Sequence, residues 1–241
     1  ALAAYAARAG IRARVFVPEA ATGAKLFQIA LHGAQVVRVP GPRSAAAEAA
    51  MAETRGGVPY ASHAHQPFQI AGYATLAFEL VEQLGEVPGV VVAPAGQGGL
   101  LLGLYAGFRA LVGTEVVRMP LLVGVQAAAC APLARAAGNA GPEAGGATCA
   151  EGIRVDCPVR QAELIELAHR GAIRFSVATE EEIHAGRTEL ASRGIGAELT
   201  SGVIWRTLER GMASGLWRPP VVGIVTAHAL KTATAAGVRE A

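Results

Sequence analysis

The amino-acid sequence predicts an α/β fold, on three observations. Apolar strand patterns alternate along the chain with helix patterns of ten or more residues, which is typical of parallel sheets covered by helices on both faces. The 241 residues are 52% hydrophobic and only 17% charged, which is enough apolar material for a sizeable core. A glycine-rich loop joins the β-branched run at 90–92 to an apolar helix pattern, as expected between a parallel strand and its crossover helix.

The first quarter of the chain contains two rounds of this alternation. An alanine-rich helix pattern opens the sequence and ends at Gly10, a residue that suits a helix C-cap. The residues after it predict the strand RARVFVP (12–18), a helix over 22–33, the strand QVVRV (35–39), a helix over 44–55 and a short strand PYASH (59–63). Polar residues and Pro67 then interrupt the pattern between 63 and 70, which predicts a boundary between two domains, 1–66 and 67–241.

The rest of the chain predicts a longer series of the same kind. In order, we expect a helix over 70–84, the strand GVVVAP (89–94), a helix over 99–111, the strand LLVGV (121–125), a strand GIRV (152–155), a helix over 160–170, the strand AIRFSV (172–177), a helix opened at Thr179, a helix over 201–213 and the strand VVGIV (221–225). Thr179 and Glu182 have the spacing of a capping box. The stretch 135–150 is rich in Gly and Ala and predicts no element.

Composition indicates no macromolecular partner and no metal. The formal net charge of +2 and the scattered arginines favour neither nucleic acid nor a membrane surface. Cys130, Cys149 and Cys157 follow no CxxC spacing, and His63 and His65 would share one strand face without a third ligand. No apolar run reaches 18 residues and no signal-peptide pattern is present, so we expect a cytoplasmic protein.

The loop APAGQGGLLLGL (93–104) has the composition of an anion-binding turn. A glycine-rich turn before a helix directs backbone N–H groups and the positive end of the helix dipole at one point, which suits a phosphate. The dinucleotide pattern GxGxxG fails because Leu101 stands where the third glycine belongs, and no GK[ST] is present for a P-loop. On spacing alone, a tight turn whose glycines serve only helix packing is the alternative.

Three stretches together resemble the pyridoxal-phosphate enzymes of fold type II, nearest to threonine synthase and its relatives. They are FELVEQLGEVPGVVVAPAGQGGLLLGLYAGF (78–108), LLVGVQAAACAPLARA (121–136) and IVTAHALKT (224–232). The resemblance implies two three-layer domains with mostly parallel sheets: an incomplete small N-terminal domain, 1–66, and a large cofactor-binding domain, 67–241. The cofactor it implies is pyridoxal 5′-phosphate.

The resemblance also implies which residues hold this cofactor. The residues that match the loop around the cofactor phosphate are Gly96, Gln97, Gly98, Gly99 and Leu100. Thr226 matches the threonine that hydrogen-bonds the pyridine nitrogen, where a hydroxyl leaves that nitrogen largely unprotonated. The Thr-Gly-His-Gly of the family reads TAHA here (226–229), so that two glycines have become alanines.

A catalytic lysine is not expected within this chain. Its two lysines, Lys25 and Lys231, do not lie in the Ser-Phe-Lys-Asp type of motif that carries the Schiff-base lysine of the family. The resemblance places that motif before Ala1, and the chain opens inside a helix pattern without an N-cap. We therefore expect the natural N-terminus to lie upstream, and the chain as given to be inactive.

The substrate positions depart from those of true threonine synthases. Those enzymes carry an Asn-Ser-x-Asn-Pro-x-Arg run that grips the phosphate of phosphohomoserine, and with Pro67 as anchor His63, Gln66 and Gln69 fall at matching positions. Gln69 replaces the arginine, and a neutral amide cannot replace a bidentate guanidinium on a dianion. The Glu-Pro-Ala/Thr-Ser-Ala pattern likewise becomes ELTSG (198–202), with Leu199 for the proline.

These observations predict an amino-acid lyase that resembles threonine synthase, working by β/γ-elimination or replacement. Two alternatives remain: an enzyme similar to serine/threonine dehydratases, and a non-catalytic, degenerate metabolite-binding fragment. The expected partner is a small amino-acid substrate, without nucleic acid or membrane. We expect the intact protein to be a homodimer.

Overall fold

The structure is a computed structural model that describes residues 1–21, 23–41, 43–54, 57–112, 118–139 and 146–231, without the side chains of residues 24, 25, 43 and 231. The chain divides into two compact units, Ala1–Gln66 and Pro67–Ala241. Both contain parallel sheets with helical connections, which confirms the predicted α/β class.

The first unit contains a two-stranded parallel sheet. Strands β1 (Arg14–Pro18) and β2 (Gln35–Val39) pair with Val15 opposite Val36. Parallel neighbours need a crossover connection, and helix α2 (Ala24–Leu31) provides it. Helix α1 (Leu2–Arg8) precedes β1, and helix α3 (Arg43–Glu53) follows β2. An ion pair between Arg14 and Glu53 joins β1 to the end of α3.

The predicted strand PYASH is wrong, because residues 59–62 have no strand pairing and a turn follows at 63–65. The Ser62 carbonyl oxygen accepts from the His65 N–H at 3.1 Å and from the Gln66 N–H at 3.0 Å, so the backbone closes on itself here. Pro59 adds to this, because it has no N–H to give to a sheet. His63 and His65 therefore do not share a strand face, and the His65 ring packs 5.4 Å from that of Tyr60, between ring centres.

The second unit contains a four-stranded parallel sheet in the order β5-β4-β3-β6. Its strands are β3 (Val90–Pro94), β4 (Leu121–Ala127), β5 (Ile173–Ala178) and β6 (Val221–Gly223). Its helices are α4 (Phe68–Leu84), α5 (Gly99–Val112), α6 (Pro132–Ala136), α7 (Gln161–His169), α8 (Glu180–Ser192), α9 (Leu199–Gly202) and α10 (Ile204–Ala213).

Helices cover both faces of this sheet, and β3 is buried along its whole length. Successive strand side chains point to opposite faces, so Val91 and Ala93 enter one apolar cluster while Val90 and Val92 enter the other. The first cluster receives α4, α5 and α7, and the second receives α8 and α10. A sheet buried on both sides explains why its strands read as continuous apolar runs rather than as an alternation.

Glycines at every fourth position of α5 let it pack closely on α4. A Cβ on Gly103 would lie 2.2 Å from the Tyr73 Cβ, and one on Gly107 would lie 2.3 Å from the Ala74 carbonyl oxygen. No real Cβ tolerates such distances, so these two positions admit only glycine while the helices stay in place. They account for part of the glycine content that the sequence alone left open between packing and binding.

Three local predictions in this unit differ from the structure. GIRV is not a strand, because Glu151–Ile153 forms a 3-10 turn. The single helix predicted over 201–213 is instead α9 and α10, separated at Val203. Helix α6 lies within the stretch for which the sequence predicts no element, and residues 140–145 of that stretch lie outside the described residues. Over the described residues, no helix is both long and apolar enough to span a bilayer.

Candidate functional site

The strand order of the second unit creates a crevice at the carboxyl ends of β3 and β6. The chain leaves β3 toward β4 on one side and returns as β6 on the other side of β3. Parallel α/β sheets bind ligands outside the carboxyl ends of their strands at such a switch point. Val92 lies opposite Gly223, and the Ile224 N–H donates to the Val92 carbonyl oxygen at 2.8 Å, so the segments after both strands emerge side by side.

The segment after β3 is a buried glycine turn held by close packing. Gly98 has φ +84°, a conformation that favours glycine, and a Cβ there would lie 2.1 Å from the Leu164 Cδ1. A Cβ on Gly96 would lie 3.3 Å from the Ile153 Cα. The Ala95 N–H donates to the Val125 carbonyl oxygen at 2.8 Å, which fixes the start of the turn to β4. The loop conformation is therefore set by its neighbours on two sides.

This turn leads directly into the N-terminus of α5. The Leu102 N–H donates to the Gly98 carbonyl oxygen at 3.1 Å. The N–H groups that precede Leu102 in the first turn have no acceptor within an α-helix, and they point back along the helix axis toward the loop. Together with the helix dipole they form an anion-binding arrangement that consists of backbone atoms.

The five loop residues singled out by the sequence have different surroundings. The Gln97 Oε1 accepts from the Val159 N–H at 2.9 Å, so this side chain ties the loop to the segment before α7. A Cβ on Gly99 would meet the Tyr73 Cε2 at 3.4 Å, an ordinary contact, so Gly99 is not required on steric grounds. Leu100 packs against the apolar cluster that α4 and α5 share. Gly96 and Gly98 are the residues whose own positions demand a small side chain.

The segment after β6 is organised by the side chain of Ser201. Ser201 is completely buried on α9, and its Oγ accepts from the Thr226 N–H at 3.0 Å and from the Ala227 N–H at 3.3 Å. The Thr226 Oγ1 lies 3.3 Å from the same oxygen. The Ala227 carbonyl oxygen accepts from the Glu198 N–H at 2.9 Å. Thr226 itself is exposed, so a hydroxyl of fixed position faces outward beside the end of β6.

A continuous set of contacts joins the glycine turn to Thr226. Gly96 packs on the 3-10 turn that contains Gly152 and Ile153. The Gly152 N–H donates to the Thr200 Oγ1 at 3.2 Å, and the next residue of α9, Ser201, holds Thr226. Both segments therefore rest on the same intermediate residues and belong to one site.

Sequence reasoning missed Gln126, which supports the turn from below. This amide is fully buried at the end of β4. Its Oε1 accepts from the N–H groups of Leu133 at 2.9 Å and Ala134 at 3.0 Å, and its Nε2 donates to the Ala95 carbonyl oxygen at 3.3 Å. Gln126 thus caps α6 and anchors the residue before Gly96. A lone polar residue in the run LLVGVQA was the only signal available.

The segment leading to the 3-10 turn carries the clearest electrostatic shift. Burial and the neighbouring Glu180 carboxylate raise the pKa of the Cys149 thiol to about 12. Burial alone would raise the pKa of Glu180, but the hydrogen bond from the Cys149 N–H to its Oε2, at 2.8 Å, outweighs that effect and holds the pKa below its ordinary value. Cys149 is therefore a protonated, unreactive thiol, not a nucleophile.

The positions proposed for substrate are spread over both units. Gln66 donates through Nε2 to the Tyr60 carbonyl oxygen at 2.6 Å, and His63 lies exposed in the turn that replaces the predicted strand. Gln69 is half-buried in the first turn of α4. Because His63 and Gln66 belong to the first unit and Gln69 to the second, a shared substrate role stays a prediction. The side chains of Lys25 and Lys231 lie outside the described part of the structure.

The arrangement suits a ligand with an anionic group and a separate hydrogen-bonding atom. The glycine turn and the start of α5 supply backbone donors for the anion, and Thr226 supplies a side-chain hydroxyl. In the described ranges, no three His, Cys, Asp or Glu side chains are grouped in a way that could hold a metal ion.

Comparisons with known proteins give the same direction. Residues 1–227 match the family described as "Pyridoxal-phosphate dependent enzyme". The threonine synthase of Mycobacterium leprae is 33% identical over 193 residues, which cover 76% of this chain and 51% of that protein. The threonine synthase of Methanocaldococcus jannaschii is 30% identical over 247 residues, which cover 98% of this chain and 60% of that protein.

Among solved structures, a bacterial threonine deaminase, from the source abbreviated T.th., is similar with a TM-score of 0.71 and 27% sequence identity, covering 92% of this chain and 70% of that one. The chain spans between half and three fifths of the length of the two threonine synthases.

Proposed function

The chain belongs to the family of pyridoxal-phosphate dependent enzymes, and we propose that its crevice holds the cofactor of an amino-acid lyase related to threonine synthase. The observation that carries this proposal is the buried glycine turn at the switch point of the sheet, which leads into the N-terminus of α5. Dependence on pyridoxal phosphate is the property of the family, and the whole protein's reaction is inferred from the site.

The cofactor phosphate would lie on the residues Gly96, Gln97, Gly98, Gly99 and Leu100. Backbone donors and a helix N-terminus suit a dianion without any basic side chain. Gly98 is essential to this cradle because a Cβ would collide with Leu164. Gln97 contributes its position more than its side chain, since its Oε1 already accepts from the Val159 N–H.

Thr226 would contact the pyridine nitrogen. It emerges beside the loop, and its hydroxyl is held from behind by the buried Ser201. A hydroxyl in contact with the nitrogen leaves the ring largely unprotonated and therefore a moderate electron sink, which supports elimination chemistry controlled by protein groups. When bound, pyridoxal phosphate withdraws electrons from the α-carbon of an amino acid, so that a group on the β- or γ-carbon can leave.

For the substrate, we propose serine or threonine rather than phosphohomoserine. Gln69 stands where the resemblance expects an arginine, and an amide offers no charge to a second phosphate. The likeness to a threonine deaminase, at 27% identity, supports the same choice. The decisive experiment compares the full-length protein on serine, threonine and phosphohomoserine, measuring oxo-acid formation and phosphate release. Oxo acid should form at least as readily as phosphate is released, and a strong preference for phosphohomoserine would refute this choice.

For the chain as given, we propose reversible cofactor binding without a covalent link. Titration with pyridoxal 5′-phosphate should give weak binding without the long-wavelength absorption of a protein imine. Borohydride reduction followed by peptide mapping should find no stoichiometric adduct at Lys25 or Lys231. Such an adduct would show that the catalytic lysine has been misplaced. Failure to bind the cofactor at all would favour the degenerate, non-catalytic alternative.

We further propose that the intact protein is a cytoplasmic homodimer that acts on a small amino acid. Relatives that metabolise threonine support this setting. Light scattering of the full-length protein would test the dimer directly.

A further inference from the structure

The hydroxyl of Ser201 makes more contacts than its role as a buried helix residue requires. Its Oγ accepts from the Thr226 N–H at 3.0 Å and from the Ala227 N–H at 3.3 Å, and it lies 3.3 Å from the Thr226 Oγ1. Ser201 is completely buried, whereas Thr226 is exposed beside the crevice. A buried group therefore meets an exposed one, which is the usual relation between a support and a binding residue.

The direction of the third contact follows from counting lone pairs. A serine hydroxyl has one proton to donate and two lone pairs to accept with. Both lone pairs are engaged by backbone N–H groups, which can only donate. The remaining contact must therefore use the Ser201 proton, and the Thr226 Oγ1 is its acceptor.

We propose that Ser201 is a positioning residue that reserves the Thr226 proton for a ligand. Because Thr226 accepts from Ser201, its own proton is not used there and remains available to an acceptor in the crevice. Resting on the proposed function, this assigns Thr226 as the donor to an unprotonated pyridine nitrogen. Without Ser201 the Thr226 hydroxyl would lose its fixed partner, and the backbone at 226–227 would lose two hydrogen bonds.

A double-mutant cycle separates this role from a merely structural one. The probe is pyridoxine 5′-phosphate, which has the ring nitrogen and the phosphate but no aldehyde, so that no lysine is needed. Ser201→Ala and Thr226→Val should each weaken its binding by about two- to tenfold, the size of one hydrogen bond. The double variant should bind no more weakly than Thr226→Val alone, because Ser201 acts through Thr226.

Two further variants protect the test. Thr207→Val removes another buried hydroxyl, one that donates to the Ser176 Oγ at 3.1 Å away from the crevice, and should leave binding unchanged. Ser201→Cys keeps the side-chain volume and weakens both donor and acceptor, and replaces Ser201→Ala if that variant does not fold. Independent effects that multiply in the double variant, or no effect of Ser201→Ala, would overturn the proposal.

Amide hydrogen exchange on the ligand-free chain keeps this test distinct from that of the proposed function. Exchange of the Thr226 and Ala227 amides should accelerate about two- to tenfold in Ser201→Ala and not in Thr207→Val. If the wild-type chain binds no pyridoxine 5′-phosphate, the proposed function fails, and the exchange rates then decide on Ser201. Unchanged rates overturn the inference.

Discussion

The two segments of the crevice are held in place by different physical means. The turn after β3 is backbone-built: its donors are N–H groups, and packing against Leu164 and Ile153 sets its shape. The segment after β6 is side-chain-built, because Ser201 fixes its backbone and its functional atom is the Thr226 hydroxyl. A backbone-built site is sensitive to added volume, whereas a side-chain-built site is sensitive to the removal of single polar atoms. The two halves should therefore fail under different substitutions.

The largest expected effect comes from adding one methyl group to the turn. Gly98→Ala places a Cβ at φ +84° and 2.1 Å from Leu164. Left-handed backbone strain and overpacking together should lower the free energy of unfolding by about 2 to 5 kcal/mol and abolish binding of inorganic phosphate. Thermal unfolding and phosphate titration measure both quantities.

Gly99→Ala is the matched control for this substitution. Its Cβ would meet Tyr73 at 3.4 Å, an ordinary contact, and alanine favours helices. We expect stability within about 0.5 kcal/mol of the original or above it. Equal damage from both substitutions would show that the turn does not have the conformation described.

Cys149 reports on the segment that joins the two halves. With a pKa of about 12 against an ordinary 9.0, its thiolate fraction at pH 8 is about a thousandfold smaller than that of an ordinary thiol. Iodoacetamide should therefore modify the exposed Cys157 first, with Cys149 following about a thousandfold more slowly. Peptide mapping over time measures both rates, and similar rates would mean that the segment opens readily.

Glu180→Gln is the companion variant, because it removes the negative charge next to the thiol. Alkylation of Cys149 should then accelerate, although burial keeps it slower than an exposed thiol. The folded state holds the Cys149 proton more tightly than the unfolded state, so this contribution to stability is present below pH 9 and is lost as the pH rises toward 12.

Much of the fold could be predicted from the sequence, because local patterns determine it. Strand β2 has the predicted bounds, and β3 was recognisable as a continuous apolar run ending in glycines. PYASH misled because apolar and polar residues alternate there while Ser62 closes a local turn. The hydrogen bonds of Gln126 and Ser201 join residues far apart along the chain, and no local pattern encodes them. The cofactor roles of the loop and Thr226 stay predictions drawn from resemblance.

Gln126 offers a way to weaken one half alone. Gln126→Met keeps the approximate volume but leaves the N–H groups of Leu133 and Ala134 and the Ala95 carbonyl oxygen without their partner. Unpaired buried groups of this kind should lower the free energy of unfolding by about 2 to 4 kcal/mol. Phosphate binding at the turn should weaken, while amide exchange at Thr226 stays unchanged. The exposed Gln83→Met is the control, and similar losses in both variants would refute a special role for Gln126.

The smallest expected effect is at the end of β5, a strand end outside the crevice. The Thr179 Oγ1 accepts from the Glu182 N–H at 3.2 Å, and the Glu182 Oε2 accepts from the Thr179 N–H at 3.1 Å, which is the predicted capping box. Thr179→Ala removes the first of these bonds and should lower the free energy of unfolding by about 1 kcal/mol.

Thr188→Ala is the control for this cap, because it changes an exposed threonine in the middle of α8, whose hydroxyl donates only to the His184 carbonyl oxygen, and alanine is a good helix former there. It should leave stability unchanged or raise it slightly. Neither variant should change phosphate binding or the exchange of the Thr226 amide, because α8 begins beside β5 rather than beside β3 or β6. A loss of phosphate affinity in Thr179→Ala, measured by titration at a temperature where the variant is fully folded, would extend the site to a third strand end and remove the distinction between its two halves.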